Sequence, residues 1–449
     1  MSASKPMVLA SSWHPGGINA IVPVIKKLMA DGKTEVVVLG HEFSEPILAK
    51  AGISFKTIKD FGLSDVSPNS MGVLLQAVSP NLVLMGTSGQ EGKANDILEH
   101  SLTLASRNLN IKSLAVIDVW GCYWQRFTDE RTNRKLELLP DCVAILDEVA
   151  KEDMLKEGFP KDRLVITGNP HFDNLPARAK SFTEIQRSEL KRKIGLDCET
   201  LFFLAGNGFS SAKPDCGYWD LDVIELILDT MSELPGVGLA VRVHPRMPTE
   251  DKRQVFDAIA RSGTKAKLIE DIDSQTLALV ADVTFCEFST IGIEAVYMRR
   301  PTVSLQPGLQ GKDNLLVSEK GIIPVGYTVE ACRELIKKAV DPQYRADILN
   351  LSANFATDGR ATERVVELVC SLLKPEEEVS MNRRALIKRR SELIHEMTIN
   401  HPIDICKNLG PASDGEYEAY LKRYEDMKEE LAKLNKQLGL PEDSWESLA

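Results

Sequence analysis

A chain of 449 residues with 43% hydrophobic content is long enough to form two domains, each with its own core. Its formal net charge of −11, without a concentrated basic segment, excludes a general nucleic-acid-binding protein. The eight cysteines are scattered without CxxC or metal-ligand spacing, and the chain has neither a signal-peptide pattern nor an apolar run of membrane-spanning length. We therefore expect a soluble, cytoplasmic protein with reduced thiols.

In the first part of the chain, short apolar runs alternate with helical patterns. The predicted strands are Met7–Ala10, Glu35–Leu39, Asn81–Met85, Ser113–Asp118, Cys142–Leu146 and Leu164–Ile166. The predicted helices are one that ends near Gly32, then Ile47–Ala51, Met71–Val78, Asp96–Asn108 and Glu148–Glu157, with an extended segment over Ile53–Ile58. Such alternation predicts a parallel sheet covered on both faces. Ligands bind beyond the carboxyl ends of its strands, here His14–Gly17, Gly86–Gly89 and Asp118–Trp120.

The same pattern begins again after a polar connection. The predicted strands are Leu201–Ala205, Gly238–Val243, Lys267–Ile269, Val283–Phe285 and Thr302–Leu305. The predicted helices are Glu184–Lys193, Asp222–Leu234, Gln254–Ser262, Ser274–Ala281, one that holds Glu294, and Cys332–Val340. We therefore expect an α/β fold of two doubly wound, Rossmann-like domains, residues 1–178 and 179–375, facing each other across a ligand-binding cleft.

Residues 376–449 differ in character and predict a helical tail. Met381–Glu396 is highly charged with a helical pattern. Apolar residues then recur at alternating spacings of three and four, at Tyr417, Tyr420, Tyr424, Met427, Leu431, Leu434 and Leu438. This amphipathic helix either packs on its own chain or pairs two chains as a homodimer.

The stretch from Ala281 to Leu305 carries the clearest ligand-binding pattern. Ser289 and Thr290 stand in the turn between a strand and a helix, and Glu294 lies about one turn into that helix. The first N–H groups of a helix and its dipole attract an anion, and a nearby carboxylate accepts sugar hydroxyls. The pattern predicts the diphosphate and ribose end of a nucleotide-sugar site. The alternative is an ordinary capped helix with an acid on its surface.

Several segments, in order over about residues 7–370, resemble the GT-B superfamily of nucleotide-sugar glycosyltransferases and the related UDP-N-acetylglucosamine 2-epimerases. The segment DEVAKEDMLKEGFPKDRLVITGNPHFDNL (Asp147–Leu175) is similar to the end of the first domain in the epimerase branch. The other matching segments are PGGINAIVPVI, PNLVLMG, RVHPR (Arg242–Arg246) and FSTIGIEA. The resemblance implies the GT-B fold and a nucleotide-sugar substrate.

In this comparison the second domain binds the donor. His244, flanked by Arg242 and Arg246, resembles a His-Pro element of GT-B transferases, where an imidazole stabilises negative charge on the leaving nucleotide. Ser289 and Thr290 would bind phosphate, and Glu294 the ribose. The predicted donor-binding set is Arg242, His244, Ser289, Thr290, Glu294, Asn207 and Gly208. Plain strand-end and N-cap roles are the alternatives.

The first domain should hold the acceptor and a catalytic base, because inverting sugar transfer requires removal of the acceptor's proton. Asp118 ends an apolar strand and is the preferred base, and His14 is its rival or an acceptor-binding residue. Gly16, Gly17 and Thr87 are the predicted acceptor-side residues, the glycines because they let a ligand approach the backbone. A structural hydrogen bond is the alternative for Asp118 and for His14. Weaker candidates are Glu91, His171 and Asp173.

Two departures from the epimerase pattern favour transfer over epimerisation. An epimerase Asp is replaced by Gly86-Thr87-Ser88, and a His-Arg-Arg-Glu-like loop is replaced by Gly206-Asn207-Gly208. Asp271-Ile-Asp273 forms a DxD triplet, but GT-B enzymes generally hold no metal there, so we predict no metal and no cofactor. The predicted function is metal-independent glycosyl transfer from a nucleotide sugar, such as a UDP- or CMP-sugar, to a glycan or a lipid- or protein-linked acceptor. The alternatives are an epimerase-like enzyme and a non-catalytic scaffold.

Overall fold

The structure is a computed structural model that describes residues 5–88, 97–129, 132, 134–208, 216–244, 247–373, 389–390, 392–394, 396–397 and 414–438. The chain forms two compact units. The first comprises Met1–Asp118, Cys122–Pro170 and Thr362–Ala449, and the second comprises Val119–Gly121 and His171–Ala361. The sequence prediction kept residues 179–375 together in the second domain, whereas the chain enters the second unit after Pro170 and returns to the first at Thr362.

Strands and helices alternate along both units. The strands are β1 (Met7–Ser11), β2 (Glu35–Leu39), β3 (Leu82–Met85), β4 (Lys112–Val116), β5 (Cys142–Ile145), β6 (Leu164–Ile166), β7 (Thr200–Ala205), β8 (Val237–Arg242), β9 (Ala266–Leu268), β10 (Val283–Cys286), β11 (Thr302–Leu305) and β12 (Val325–Gly326). The helices are α1 (Pro15–Asp31), α2 (Ser44–Lys50), α3 (Pro68–Val78), α4 (Leu98–Asn108), α5 (Glu148–Lys156), α6 (Leu175–Ser181), α7 (Glu184–Ile194), α8 (Asp220–Met231), α9 (Thr249–Ser262), α10 (Ser274–Val280), α11 (Thr290–Tyr297), α12 (Leu316–Glu319), α13 (Val329–Lys338), α14 (Pro342–Leu351), α15 (Ala361–Leu372) and α16 (Asp414–Leu438). Within the described ranges, no helix is long and apolar enough to cross a lipid bilayer.

The first unit is built on one parallel sheet in the order β2-β1-β3-β4-β5-β6. The segment predicted as extended over Ile53–Ile58 contains one isolated parallel bridge, between Leu39 and Lys56, and Ile58 begins a 3-10 helix. The chain order reverses between β1 and β3. In doubly wound sheets the ligand crevice lies outside the carboxyl ends of the strands at such a reversal.

The second unit repeats this plan with the order β12-β11-β10-β7-β8-β9. All of these strand pairs are parallel, and the reversal lies between β7 and β10. Two Rossmann-like, doubly wound parallel domains were the predicted fold, and this prediction is confirmed. The continuous apolar runs read from the sequence are the strands buried on both faces, such as β3 and β5, in which every residue is buried.

The core of the first unit is completed by residues from near the end of the chain. Val365 and Val369 of α15 are fully buried in the same cluster as Ile21 and Ile25 of α1. Arg364 adds a hydrogen bond from Nε to the carbonyl oxygen of Thr167 at 2.7 Å. Helix α15 is therefore part of the first unit although it follows the whole second unit in sequence.

The apolar side chains of the tail helix α16 that the structure describes, from Tyr424 to Leu434, are covered by the chain itself. The buried cluster contains Leu393, Met397, Tyr424, Met427, Leu431 and Leu434. Arg390, 3% exposed, donates from Nη1 to the carbonyl oxygen of Asn108 at 3.2 Å, which ties this region to the end of α4. Residues 381–388 and the side chains of Tyr417, Tyr420 and Leu438 lie outside the described part. These contacts favour intrachain packing over the predicted homodimer surface.

Candidate functional site

At the strand reversal of the first unit, the segments that follow β1 and β3 touch each other. A Cβ atom built on Gly86 would lie 2.5 Å from the backbone of Gly17, and one built on Gly17 would lie 2.7 Å from the carbonyl oxygen of Thr87. Side chains are excluded at both positions because backbone occupies their space. The predicted segments after these two strands are therefore brought together at the carboxyl edge of the sheet. Gly89 and Glu91 lie outside the described residues.

Asp118, the predicted base, is held by an arginine that the sequence analysis missed. Arg126 Nη1 donates to Asp118 Oδ1 at 2.7 Å and to Thr87 Oγ1 at 2.8 Å. Thr87 Oγ1 in turn donates to Asp118 Oδ1 at 3.2 Å. The guanidinium is 8% exposed, so this ion pair is largely shielded from water. Because Oδ1 already accepts two hydrogen bonds, Oδ2 is the oxygen with capacity to take a proton.

The other carboxylate oxygen of Asp118 lies against the start of α1. A Cβ atom built on Gly16 would overlap Asp118 Oδ2, and one built on Gly17 would overlap the hydroxyl of Ser12. The space beside these glycines, which the sequence analysis reserved for a ligand, is thus filled by side chains of the first unit. Acceptor binding by Gly16, Gly17 and Thr87 stays a prediction.

Glu99 organises the same edge and was also missed. Its Oε1 accepts hydrogen bonds from Ser12 Oγ at 2.7 Å, the backbone N–H of Trp13 at 2.8 Å and Ser88 Oγ at 2.7 Å. The side chain is buried, and Oε2 has no hydrogen-bond partner within the residues that the structure describes. The sequence signal is an acid on the apolar face of α4, one turn before the buried Leu102.

His14, the rival of Asp118, lies in a small aromatic group beyond β1. It is the N-cap residue of α1 but makes no side-chain capping bond. Its ring centroid lies 5.0 Å from that of Trp13 and 6.2 Å from that of Phe43. Trp13 Nε1 donates to Glu42 Oε2 at 2.7 Å. A base or acceptor-binding role for His14 stays a prediction.

In the second unit, α11 begins at the strand reversal, directly after β10. Ser289 is its N-cap, and the Ser289 hydroxyl accepts a long bond of 3.4 Å from the backbone N–H of Ile291. Thr290 is exposed, and the first turn contains no acidic residue. The positive end of this helix is therefore not neutralised by an acid of its own first turn.

Glu294 lies one turn into α11 and is a buried acid, 7% exposed, rather than the surface acid of the alternative prediction. Its Oε1 lies 3.1 Å from His171 Nε2, and its Oε2 accepts from Gln275 Nε2 at 2.8 Å. Gln275 Oε1 accepts in turn from Arg178 Nη1. The structure thus brings together Glu294 and His171, which the sequence analysis rated only as a weaker candidate.

His244 and Gly208, both predicted donor-binding residues, are adjacent. Gly208 has φ +87°, and a Cβ atom built on it would lie 2.8 Å from His244 Cβ. The Gly208 N–H donates to Asp220 Oδ2 at 3.0 Å, which fixes the loop after β7. Asn207 precedes Gly208 in this loop and is half-buried. Glycine is required here because φ is positive and because a Cβ atom would collide with the His244 side chain.

Arg242, at the end of β8, is engaged by the protein backbone. Its Nη1 donates to the carbonyl oxygens of Glu270 at 2.9 Å and Ile272 at 2.7 Å. Arg242 thus holds the turn after β9 through backbone carbonyl oxygens. This contact fits the alternative stated above, in which Arg242 has a plain role at the end of a strand. Donor binding by Arg242 stays a prediction, and Arg246 lies outside the described residues.

Glu287 follows β10 at the same edge and is fully buried. Neither of its carboxylate oxygens has a hydrogen-bond partner among the residues described. Burial raises the pKa of Glu287 well above its ordinary value, and the negative charges of Asp220 and Asp222 raise it further. Both effects disfavour the ionised form of this side chain in the folded protein.

The remaining acidic candidates contact other residues of the second unit. Asp271 pairs with Lys193 at 2.9 Å, and Asp273 is the N-cap of α10, accepting the N–H of Thr276 at 3.0 Å. Asp173 Oδ1 accepts the N–H of Ala361 at 3.0 Å. Over the described ranges, no group of three His, Cys, Asp or Glu side chains is arranged to hold a metal ion.

No protein-family model and no curated protein sequence matches this chain. Solved structures do. The UDP-GlcNAc 2-epimerase of Neisseria meningitidis bound to UDP-GlcNAc has a TM-score of 0.61 at 15% identity, covering 81% of this chain and 100% of its own. The S. aureus MnaA–UDP complex has a TM-score of 0.62 at 18% identity, covering 82% and 97%. A glycosyltransferase of Rickettsia africae has a TM-score of 0.57 at 13% identity, covering 83% and 100%.

These similarities establish the fold. The similar structures are GT-B proteins, and the two parallel sheets described above match their Rossmann-like domains. The chain therefore has the GT-B fold, as the resemblance of its sequence segments predicted, and this is the fold of nucleotide-sugar enzymes.

Proposed function

We propose that this chain is a metal-independent glycosyltransferase that moves a sugar or sugar-like group from a nucleotide-activated donor to an acceptor. The observation that carries the proposal is the start of α11. Thr290 is exposed there, the first turn has no acid, and Glu294 follows one turn later. A helix N-terminus binds a phosphate, and a carboxylate accepts bonds from sugar hydroxyls. A nucleoside diphosphate carries both groups.

In this proposal the second unit binds the donor and the first unit binds the acceptor. His244, which lies beside Gly208, stabilises charge on the departing nucleotide. Asp118 takes the acceptor's proton through Oδ2, with His14 as the rival base. Two of the similar structures contain UDP-GlcNAc or UDP, which supports a nucleotide sugar as donor. The acceptor is a glycan or a lipid- or protein-linked group.

An epimerase-like activity is the second candidate, because epimerases stand among the similar structures. It requires acid and base groups that exchange a proton at a sugar carbon. At the corresponding loop this chain has Thr87, whose hydroxyl is already bonded to Arg126 and Asp118. Nuclear magnetic resonance of nucleotide sugars incubated without an acceptor separates the two functions. Epimerised product would favour the second candidate, whereas acceptor-dependent release of the nucleotide supports transfer.

The phosphate site can be tested by placing a negative charge at the start of α11. Thr290→Glu should weaken binding of UDP, CDP, CMP or GDP by at least about 10-fold, because the new carboxylate occupies the positive helix end and repels phosphate. Isothermal titration calorimetry measures the change. Val329→Glu is the matched control, since Val329 is the exposed first residue of α13. Unchanged nucleotide affinity of Thr290→Glu would overturn the assignment.

A further inference from the structure

Both carboxylate oxygens of Glu294 lie within hydrogen-bond distance of neighbouring side chains. His171 Nε2 lies 3.1 Å from Oε1, and Gln275 Nε2 lies 2.8 Å from Oε2. A carboxylate offers about four lone-pair directions, so one further direction per oxygen is open to a ligand. Two donors on two oxygens fix the rotation of the carboxylate plane, which a single bond would not do.

The proton positions follow from the partners of Gln275. Its Oε1 accepts from Arg178, whose guanidinium has only donors, so its amide nitrogen must be the atom that faces Glu294. His171 Nε2 lies 3.4 Å from this amide nitrogen and closer to Glu294 Oε1. A bare imidazole nitrogen would place a lone pair against a carboxylate oxygen. The hydrogen of the His171 imidazole is therefore on Nε2, and this N–H donates a hydrogen bond to Glu294 Oε1.

The position of His171 is set by packing rather than by chance proximity. It lies in a 3-10 turn, Pro170–Phe172, directly after the chain enters the second unit. The ring of Phe172, 3% exposed, lies 5.0 Å from that of Tyr297, which is on the same helix as Glu294. Arg178 Nη2 also donates to Thr276 Oγ1 at 2.7 Å, which braces the side from which Gln275 approaches. Both donors are thus fixed before any ligand arrives.

We infer that His171 and Gln275 are positioning residues that orient the Glu294 carboxylate to accept both hydroxyls of a vicinal cis-diol. This inference rests on the proposed function and deepens it, because it makes the site selective for a ribonucleotide over its 2′-deoxy form. The diol donates one hydroxyl to each carboxylate oxygen. If the carboxylate rotates, one hydroxyl loses its acceptor and the selectivity falls.

The test measures the dissociation constants of UDP, CDP, CMP and GDP by calorimetry, and then that of the 2′-deoxy form of the tightest binder. Wild type should prefer the ribonucleotide by about 10-fold or more, because a hydrogen bond to a charged group is lost in the deoxy form. His171→Phe keeps a ring without the N–H and should lose most of this preference. His171→Gln, which returns a donor, should restore it, and Gln275→Leu should behave as His171→Phe does.

His41→Phe is the matched control, since His41 is a part-buried histidine near a glutamate, Glu42, in the first unit, and it should retain the full preference. Melting temperatures of the unliganded variants identify any that fail to fold. Loss of preference in Glu294→Gln together with full preference in both His171→Phe and Gln275→Leu would overturn the positioning role alone. Absence of nucleotide binding by wild type, or full preference in Glu294→Gln, would overturn the proposed function as well.

Discussion

The helices α1 and α11, one in each unit, differ in what lies at their N-termini. Each helix begins beyond a strand at the reversal of its sheet. At α1 the carboxylate of Asp118 lies against Gly16 in the first turn and is paired with Arg126. At α11 the first turn has no acid and starts with the exposed Thr290. One helix end has a carboxylate of the protein against it, and the other begins with an exposed residue.

A phosphate has little room at the start of α1, because the Asp118 side chain already lies against Gly16 there. An uncompensated end with a fixed carboxylate one turn away suits a group that is anionic at one end and hydroxylated at the other. The proposed function has proton transfer in the first unit and nucleotide binding in the second, and three experiments probe these two sites.

The largest expected effect is that of Asp118→Asn. If Asp118 is the base, transfer should slow by about 10²- to 10⁴-fold while nucleotide affinity is unchanged, because the proposed function places the nucleotide in the second unit. Product formation at saturating donor, with calorimetry of nucleotide binding, measures both. Asp147→Asn is the control, since Asp147 caps α5 through Oδ1 at the same edge and asparagine caps equally well. A wild-type rate in Asp118→Asn would transfer the role to His14.

A smaller effect is expected from filling the space at the start of α1. Gly16→Ala places a methyl group on Asp118 Oδ2, so either the helix or the carboxylate must move, at a cost of about 1–3 kcal/mol in the free energy of unfolding. Gly72→Ala is the control: it lies in α3 with no atom near its new Cβ, and should stabilise by up to about 1 kcal/mol. Chemical denaturation measures both changes. Equal stability of Gly16→Ala and wild type would show that Asp118 is not held against α1.

The smallest effect is expected at Glu287, the buried acid that directly follows β10. Its folded-state pKa is raised by burial, so the folded chain binds a proton more tightly than the unfolded chain does. Wild-type stability should therefore fall as pH rises above the ordinary value of 4.5 towards the raised pKa. Glu287→Gln cannot ionise and should raise the melting temperature at pH 8 by about 2–4 °C, with no gain below pH 4.5. A variant destabilised at pH 8 would mean that Glu287 is charged and compensated.

Most strands and the two parallel sheets were predictable, because most strands are continuous apolar runs and such runs are buried whatever their distant partners. The order of the strands within each sheet and the short strand β12 were not predicted. Helix starts were less predictable. Helix α9 begins at Thr249, whereas the apolar spacing predicted a start at Gln254. The earlier start is favoured by Pro248 before the helix and by the acids Glu250 and Asp251 in its first turn. Helix α13 likewise begins at Val329, capped by Thr328.

Candidate residues that lie in ligand-like sequence patterns, such as Ser289 and Glu294, could be proposed from the sequence, and their roles stay predictions. Residues that act only through distant partners could not. Arg126 meets Thr87 across 39 positions, and Glu99 meets Ser12 across 87 positions. His171 meets Glu294 across 123 positions. Local spacing carries no information about such pairs, because the sheet topology alone brings them together.

The late position of α15 in the chain has a consequence for biogenesis. Ile21 and Ile25 are synthesised near the start, but Val365 and Val369, which bury them, leave the ribosome only after the entire second unit. Since compact units fold as their segments become complete, the second unit should mature first, the reverse of the order in which the two units begin to be translated. A nascent chain released at residue 170 would leave the side chains of Ile21 and Ile25 without their cover from α15, and it would tend to aggregate.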